Sequence, residues 1–160
     1  MPTMFLSSLG VRFDIPSVVR EIVCFIKVDP KRKYKVIIGT DSQQAGGVKA
    51  DFVTAIVVHR VGNGGIYFFR RNEFGRFHTL RDRIIQEVLI SLEVAEKVLT
   101  ELRHYAKEVA WDFEIHADVG ENGPTNALIQ EVTGIIRASN FTVKTKPDSY
   151  AASKVADRHV

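Results

Sequence analysis

The 160-residue chain predicts an α/β domain built on a mixed five-stranded sheet, three antiparallel strands plus two parallel crossover strands, with helices on both faces. Three observations predict it. Apolar, β-branched runs come first, separated by short turns. The stretch from Thr79 to Lys107 then contains no Gly or Pro and repeats its apolar residues at helical spacing. Two further apolar runs follow, each trailed by a helical pattern, which is the order of parallel crossover units.

Pro16 opens Ser17–Ile26, a short amphipathic helix that stops near Asp29-Pro30. Residues 1–30 thus form an N-terminal helical extension of a single domain spanning 1–160. Tyr34-Lys-Val-Ile-Ile-Gly-Thr-Asp41 reads as the first strand, and the turn around Gly46-Gly47 leads into Asp51–Arg60 as the second. Gly62-Asn-Gly-Gly65 turns the chain again into Ile66–Arg71, the exposed outer strand of a meander. In the long helix, Ile84, Ile85, Val88, Leu89, Leu92, Ala95, Leu99 and Leu102 share one face. Trp111–Asp118 is the fourth strand, and the loop Gly120–Pro124 leads to a helix through Ala127–Ile136 that ends near Ser139-Asn140. Phe141–Lys146 is the fifth strand and Ser149–Arg158 a final helix.

Hydrophobic residues make up 45%, enough for one compact core. The 22 Lys and Arg exceed the 19 Asp and Glu by three, which permits an anionic partner. Cys24 is the only cysteine, so an intrachain disulfide and a cysteine zinc site are excluded. The five histidines show no zinc spacing. The first ten residues lack a basic segment ahead of a long apolar stretch, and no run reaches membrane-spanning length, so a soluble cytoplasmic protein is expected.

Asp41 and Asp118 each end an apolar strand. An aspartate there commonly forms a turn or caps a helix. If the two strands are parallel neighbours, however, both carboxylates reach the same carboxyl edge of the sheet, where open α/β folds place their ligands. Two carboxylates so placed repel unless a cation lies between them, and hard oxygen donors suit Mg²⁺ or Mn²⁺.

The strand and helix order resembles the ribonuclease H fold. Ile38-Gly-Thr-Asp-Ser-Gln43, Glu87-Val88, His116-Ala-Asp-Val-Gly120 and Lys146-Pro-Asp-Ser-Tyr-Ala-Ala-Ser-Lys-Val-Ala-Asp-Arg-His159 resemble the bacterial YkuK-type family of ribonuclease H-like proteins across nearly the whole chain. The resemblance implies adjacent, parallel first and fourth strands. It also implies metal-holding acids on the first strand, the first long helix, the fourth strand and the last helix. Asp41 and Asp118 fill the strand positions. Glu87, on the border of the apolar stripe, fills the helix position, whereas Glu93 points outward and Glu96 lies more than two turns away at roughly 1.5 Å per residue. For the last helix, Asp157 follows the small residues Ala151, Ala152 and Ala156 and is favoured over Asp148, which is well placed as an N-cap.

The expected function is metal-dependent hydrolysis of phosphodiester bonds in RNA, DNA or a hybrid, with Asp41, Glu87, Asp118 and Asp157 as the catalytic acids. His116, two residues before Asp118, falls on the same strand face and could tune the site, shuttle a proton or join the nucleic-acid contacts, a packed and hydrogen-bonded histidine being the alternative. Lys144 and Lys146 alternate with Val143 and Thr145 and could meet a phosphate backbone. Arg70, Arg71, Arg76, Arg81 and Arg83 could extend that track, and Phe74 and Phe77 could stack on bases, although core packing or loop anchoring is the favoured reading. The alternative is a nucleic-acid-binding or assembly module of the same fold without efficient catalysis. A phosphatase acting on a small molecule is a third reading, since fold alone separates none of these.

Overall fold

The computed structural model describes residues 4–44, 49–150 and 154–155. The elements are β1 (Phe5–Ser7), β2 (Arg12–Phe13), α1 (Ile15–Val28), β3 (Tyr34–Gln44), β4 (Ala50–Arg60), β5 (Gly65–Phe74), α2 (Leu80–Tyr105), β6 (Asp112–His116), α3 (Ile129–Ala138) and β7 (Thr142–Lys144). The strands form one mixed sheet in the order β2-β1-β5-β4-β3-β6-β7. β3, β4 and β5 are the expected antiparallel meander, while β6 and β7 join in parallel.

The sheet has seven strands rather than five, and β5 is not its exposed edge. β1 pairs with β5 through Leu6↔Phe69 and Ser7↔Phe68, and β2 pairs with β1. Strands of three and two residues are too short for alternation to show in sequence. Their hairpin turns at Gly10, whose φ of +81° suits glycine. The segment before Pro30 is therefore partly sheet, anchored by the fully buried Phe5.

The even-numbered residues of β3 and β4 face the helices. Val36, Ile38, Ile56 and Val58 pack with Val18, Val19, Ile22 and Ile26 of α1, Val98 and Leu102 of α2, and Val132 and Ile136 of α3. The Asp14 carboxylate caps α1 by accepting the Ser17 N–H at 2.8 Å, and Thr79 caps α2 by accepting the Asp82 N–H at 3.0 Å. α1, α2 and α3 thus meet one face. The opposite face carries Val53, Ala55 and Phe69, against which Val155 packs. Lys154 and Val155 are helical. The rest of the expected 149–158 helix beyond Tyr150, Asp157 included, lies outside the described residues, as does the Gly46-Gly47 turn.

α2 is rotated relative to its apolar stripe. Leu89 is 49% exposed, whereas Glu87, Ser91, Val94 and Val98 are buried. Ser91 belongs on this face because its hydroxyl bonds Thr40 at 2.8 Å, and Thr40 bonds Thr54 at 3.2 Å. Removing the middle hydroxyl leaves two buried polar groups without that partner. Thr40→Val is expected to cost about 1–3 kcal/mol, read as a lowered midpoint in urea unfolding with an unchanged slope. Among the described residues, no helix is long and apolar enough to cross a membrane.

Candidate metal and nucleic-acid site

β3 and β6 are adjacent and parallel, with the register running from Lys35↔Asp112 to Gly39↔His116. Two residues further along each chain stand Asp41 and Asp118, at the same carboxyl edge. Asp41 pairs in register with Val53, so it lies on the second face, while its neighbour Ser42 lies on the helical face. Asp41 Oδ1 accepts the Ser42 N–H at 2.9 Å. The Ser42 hydroxyl in turn donates to Glu87 Oε2. A single strand thereby links acids on its two sides.

Glu87 is 5% exposed. Burial pushes its carboxyl well above the ordinary glutamate range, and the charges of Asp41 and Asp118 push the same way. The Ser42 hydrogen bond and the Arg83 charge oppose them without prevailing. Thr40, Glu87, Ser91, His116 and Asp118 line one narrow cleft between α2 and the ends of β3 and β6. A roomier groove of about 430 Å³, bounded by Ile15, Pro16, Glu96, Lys97, Thr100 and Glu101, holds none of the predicted site residues. In the narrow cleft Glu87 feels the charges of two carboxylates from other segments, Asp41 and Asp118.

Asp118 has its own counter-charge, since Lys146 Nζ stands 3.1 Å from Asp118 Oδ1. The lysine is positioned by its backbone, whose N–H donates to Val119 O at 2.8 Å just beyond the parallel β6–β7 pairing. Among the described residues, no three His, Cys, Asp or Glu side chains stand close enough together to hold a metal ion.

His116 is buried and fully engaged. Its Nδ1 accepts the Tyr150 N–H at 3.2 Å, which leaves the ring proton on Nε2, where it is donated to Glu114 Oε1 at 2.9 Å. Burial lowers its pKa against the opposing pull of the Glu114 carboxylate, with Lys35 and Lys144 adding smaller contributions in the same direction as burial. Tyr150 also reaches His59, Oη to Nδ1 at 3.2 Å. These contacts hold the start of the C-terminal segment on the second face. Sequence reasoning missed Glu114, Tyr150 and Ser42. The signal for Glu114 was its two-residue spacing from His116 in a strand.

Lys144 is exposed opposite His116 on β7. Asp148 is exposed in a turn, its N–H donating to Thr145 O at 2.8 Å. The supposed arginine track is divided. Arg70 lies over the Phe5 ring at 5.1 Å, Arg71 Nε bonds Asp51 at 2.6 Å and Arg81 pairs with Glu131 at 2.9 Å. Phe74 and Phe77 pack edge-on against Phe52, as anchors.

A family model described as "Ribonuclease H-like" matches residues 17–160. A Bacillus subtilis (strain 168) protein, "Uncharacterized protein YkuK", is 33% identical over 97% of this chain and 95% of its own length. Its name transfers no activity. No solved structure matches. With the parallel β3–β6 pair, the meander order and a family match covering almost all of its length, the chain belongs to the ribonuclease H-like family.

Proposed function

We propose that this protein is a divalent-metal-dependent nuclease that hydrolyses phosphodiester bonds in nucleic acid. The observation that carries the reading is the Glu87 carboxyl, buried beside two further carboxylates at the carboxyl edge of the sheet. Such an excess of negative charge fits a hard cation in its donor chemistry. Asp41, Glu87 and Asp118, which do not form a three-ligand cluster in this structure, would have to draw together to hold Mg²⁺ or Mn²⁺, with Asp157, or else Asp148, as the fourth acid. When bound, the ion supplies activation of water and stabilisation of the departing 3′ oxygen.

The chain's own residues do the positioning. Ser42 orients Glu87 by donating to Oε2. Thr40 and Ser91 keep the α2 face seated on β3, one turn beyond Glu87. His116 accepts the Tyr150 N–H and so holds the start of the segment that carries Asp157. Lys144, exposed on β7, would meet a phosphate oxygen. The test is a cleavage screen of RNA, DNA, hybrid and junction substrates with Mg²⁺ or Mn²⁺, against the same reactions in chelator. Cleavage only with metal supports the proposal, and no cleavage of any substrate counts against it.

A second reading is a binding or assembly module without efficient catalysis. It is favoured by the lack of a three-ligand cluster among the described residues and by the Lys146 ion pair that occupies Asp118. It predicts nucleic-acid binding that survives Asp118→Asn and chelation.

A further inference from the structure

We propose that Lys146 is a built-in counter-ion that competes with a divalent cation for Asp118 and, once displaced, passes to a phosphate of the bound nucleic acid. The inference rests on the metal-site reading above and deepens it. Its first support is the ion pair itself, Nζ to Oδ1 at 3.1 Å. Its second is the space made for the lysine stem. A Cβ placed on Gly120 would stand 2.8 Å from Lys146 Cβ and 3.3 Å from its Cδ. That is closer than real Cβ contacts, so the bare glycine is what lets the stem lie against the loop that carries Asp118. The third is the backbone bond from Lys146 N–H to Val119 O at 2.8 Å, which fixes the root of the side chain.

The head is less constrained than the root. The Lys146 side chain is 50% exposed and that of Asp118 27%, so the ammonium can leave for solvent without stranding a buried charge. A lysine head is a compact point charge on a flexible stem, suited to exchange one oxyanion for another. With a divalent cation held at Asp118, the Lys146 ammonium would be repelled and would leave the carboxylate. A phosphate arriving at the same edge then offers it a new partner. Metal and nucleic acid should therefore favour each other's binding, and through Lys146 the coupling is reciprocal.

The experiment compares wild type with Lys146→Met and with Lys146→Arg. In calorimetric titration without nucleic acid, Lys146→Met should bind Mn²⁺ about two- to five-fold more tightly, the worth of a partly exposed ion pair. Structural damage moves that affinity the other way. Binding of a single-stranded phosphorothioate oligonucleotide should be nearly unchanged by Lys146→Met in chelator, where the wild-type lysine is held by Asp118. With Mn²⁺ it should weaken, with a salt slope smaller by about one, and Lys146→Arg should restore it. Equal or weaker Mn²⁺ binding by Lys146→Met, with wild type binding normally, overturns this inference and leaves the metal site standing. No Mn²⁺ binding by wild type or variant overturns both.

Discussion

Asp41→Asn is expected to reduce metal-dependent cleavage by more than about 100-fold, because even groups that only orient a metal ligand cost ten- to a hundred-fold when removed. Asparagine keeps the shape of the side chain and the oxygen that accepts the Ser42 N–H, so the change removes charge while preserving the local backbone. The residue sits at the half-buried end of β3, beyond its pairing with β6 and still within the long β3–β4 ladder. Its folded structure should persist, which far-ultraviolet circular dichroism and the melting midpoint check. Cleavage within a few-fold of wild type would show that the carboxylate at the edge of the sheet does no chemistry.

Glu87→Gln is expected to stabilise the metal-free protein at neutral pH by about 0.5–2 kcal/mol while abolishing metal-dependent activity, the trade-off common to active-site residues. The sign follows from the raised carboxyl. Folding makes Glu87 hold its proton more tightly than the unfolded chain does, so its contribution is fully present below the ordinary pKa of 4.5 and is lost as pH rises through the raised value. Glutamine has the same shape, accepts the Ser42 hydroxyl through its amide oxygen and does not titrate. The gap in melting midpoint between variant and wild type should therefore open as pH rises above about 4.5. Adding Mn²⁺ should narrow it by stabilising wild type alone. A variant less stable than wild type at every pH would mean that Glu87 is structural.

Asp41 and Asp118 were legible because each closes an apolar run, and strand ends at a sheet edge are where ligands gather. Glu87 was legible only through family resemblance. Counting apolar residues put it on the border of the α2 stripe, whereas it lies at the centre of the buried face with Ser91. The stripe is displaced because the helix turns polar residues toward the site, and hydrophobic periodicity cannot count those. The same blindness hid Leu89, which looked like core and is half exposed. β1 and β2 were illegible for another reason: two or three residues carry no period, and their place is decided by the β5 edge they cover. The Lys146–Asp118 pair needed the alignment of the chain beyond β7 with the loop beyond β6, a contact between segments that strand alternation alone does not bring together.

In the proposed function, carboxylates from β3, α2 and the end of β6 form one divalent-cation site. Calorimetric titration of Mn²⁺ into wild type and Asp41→Asn tests it without a choice of substrate. Saturable binding by wild type that is lost in the variant is expected. Equal binding by both, or none by either, would contradict it.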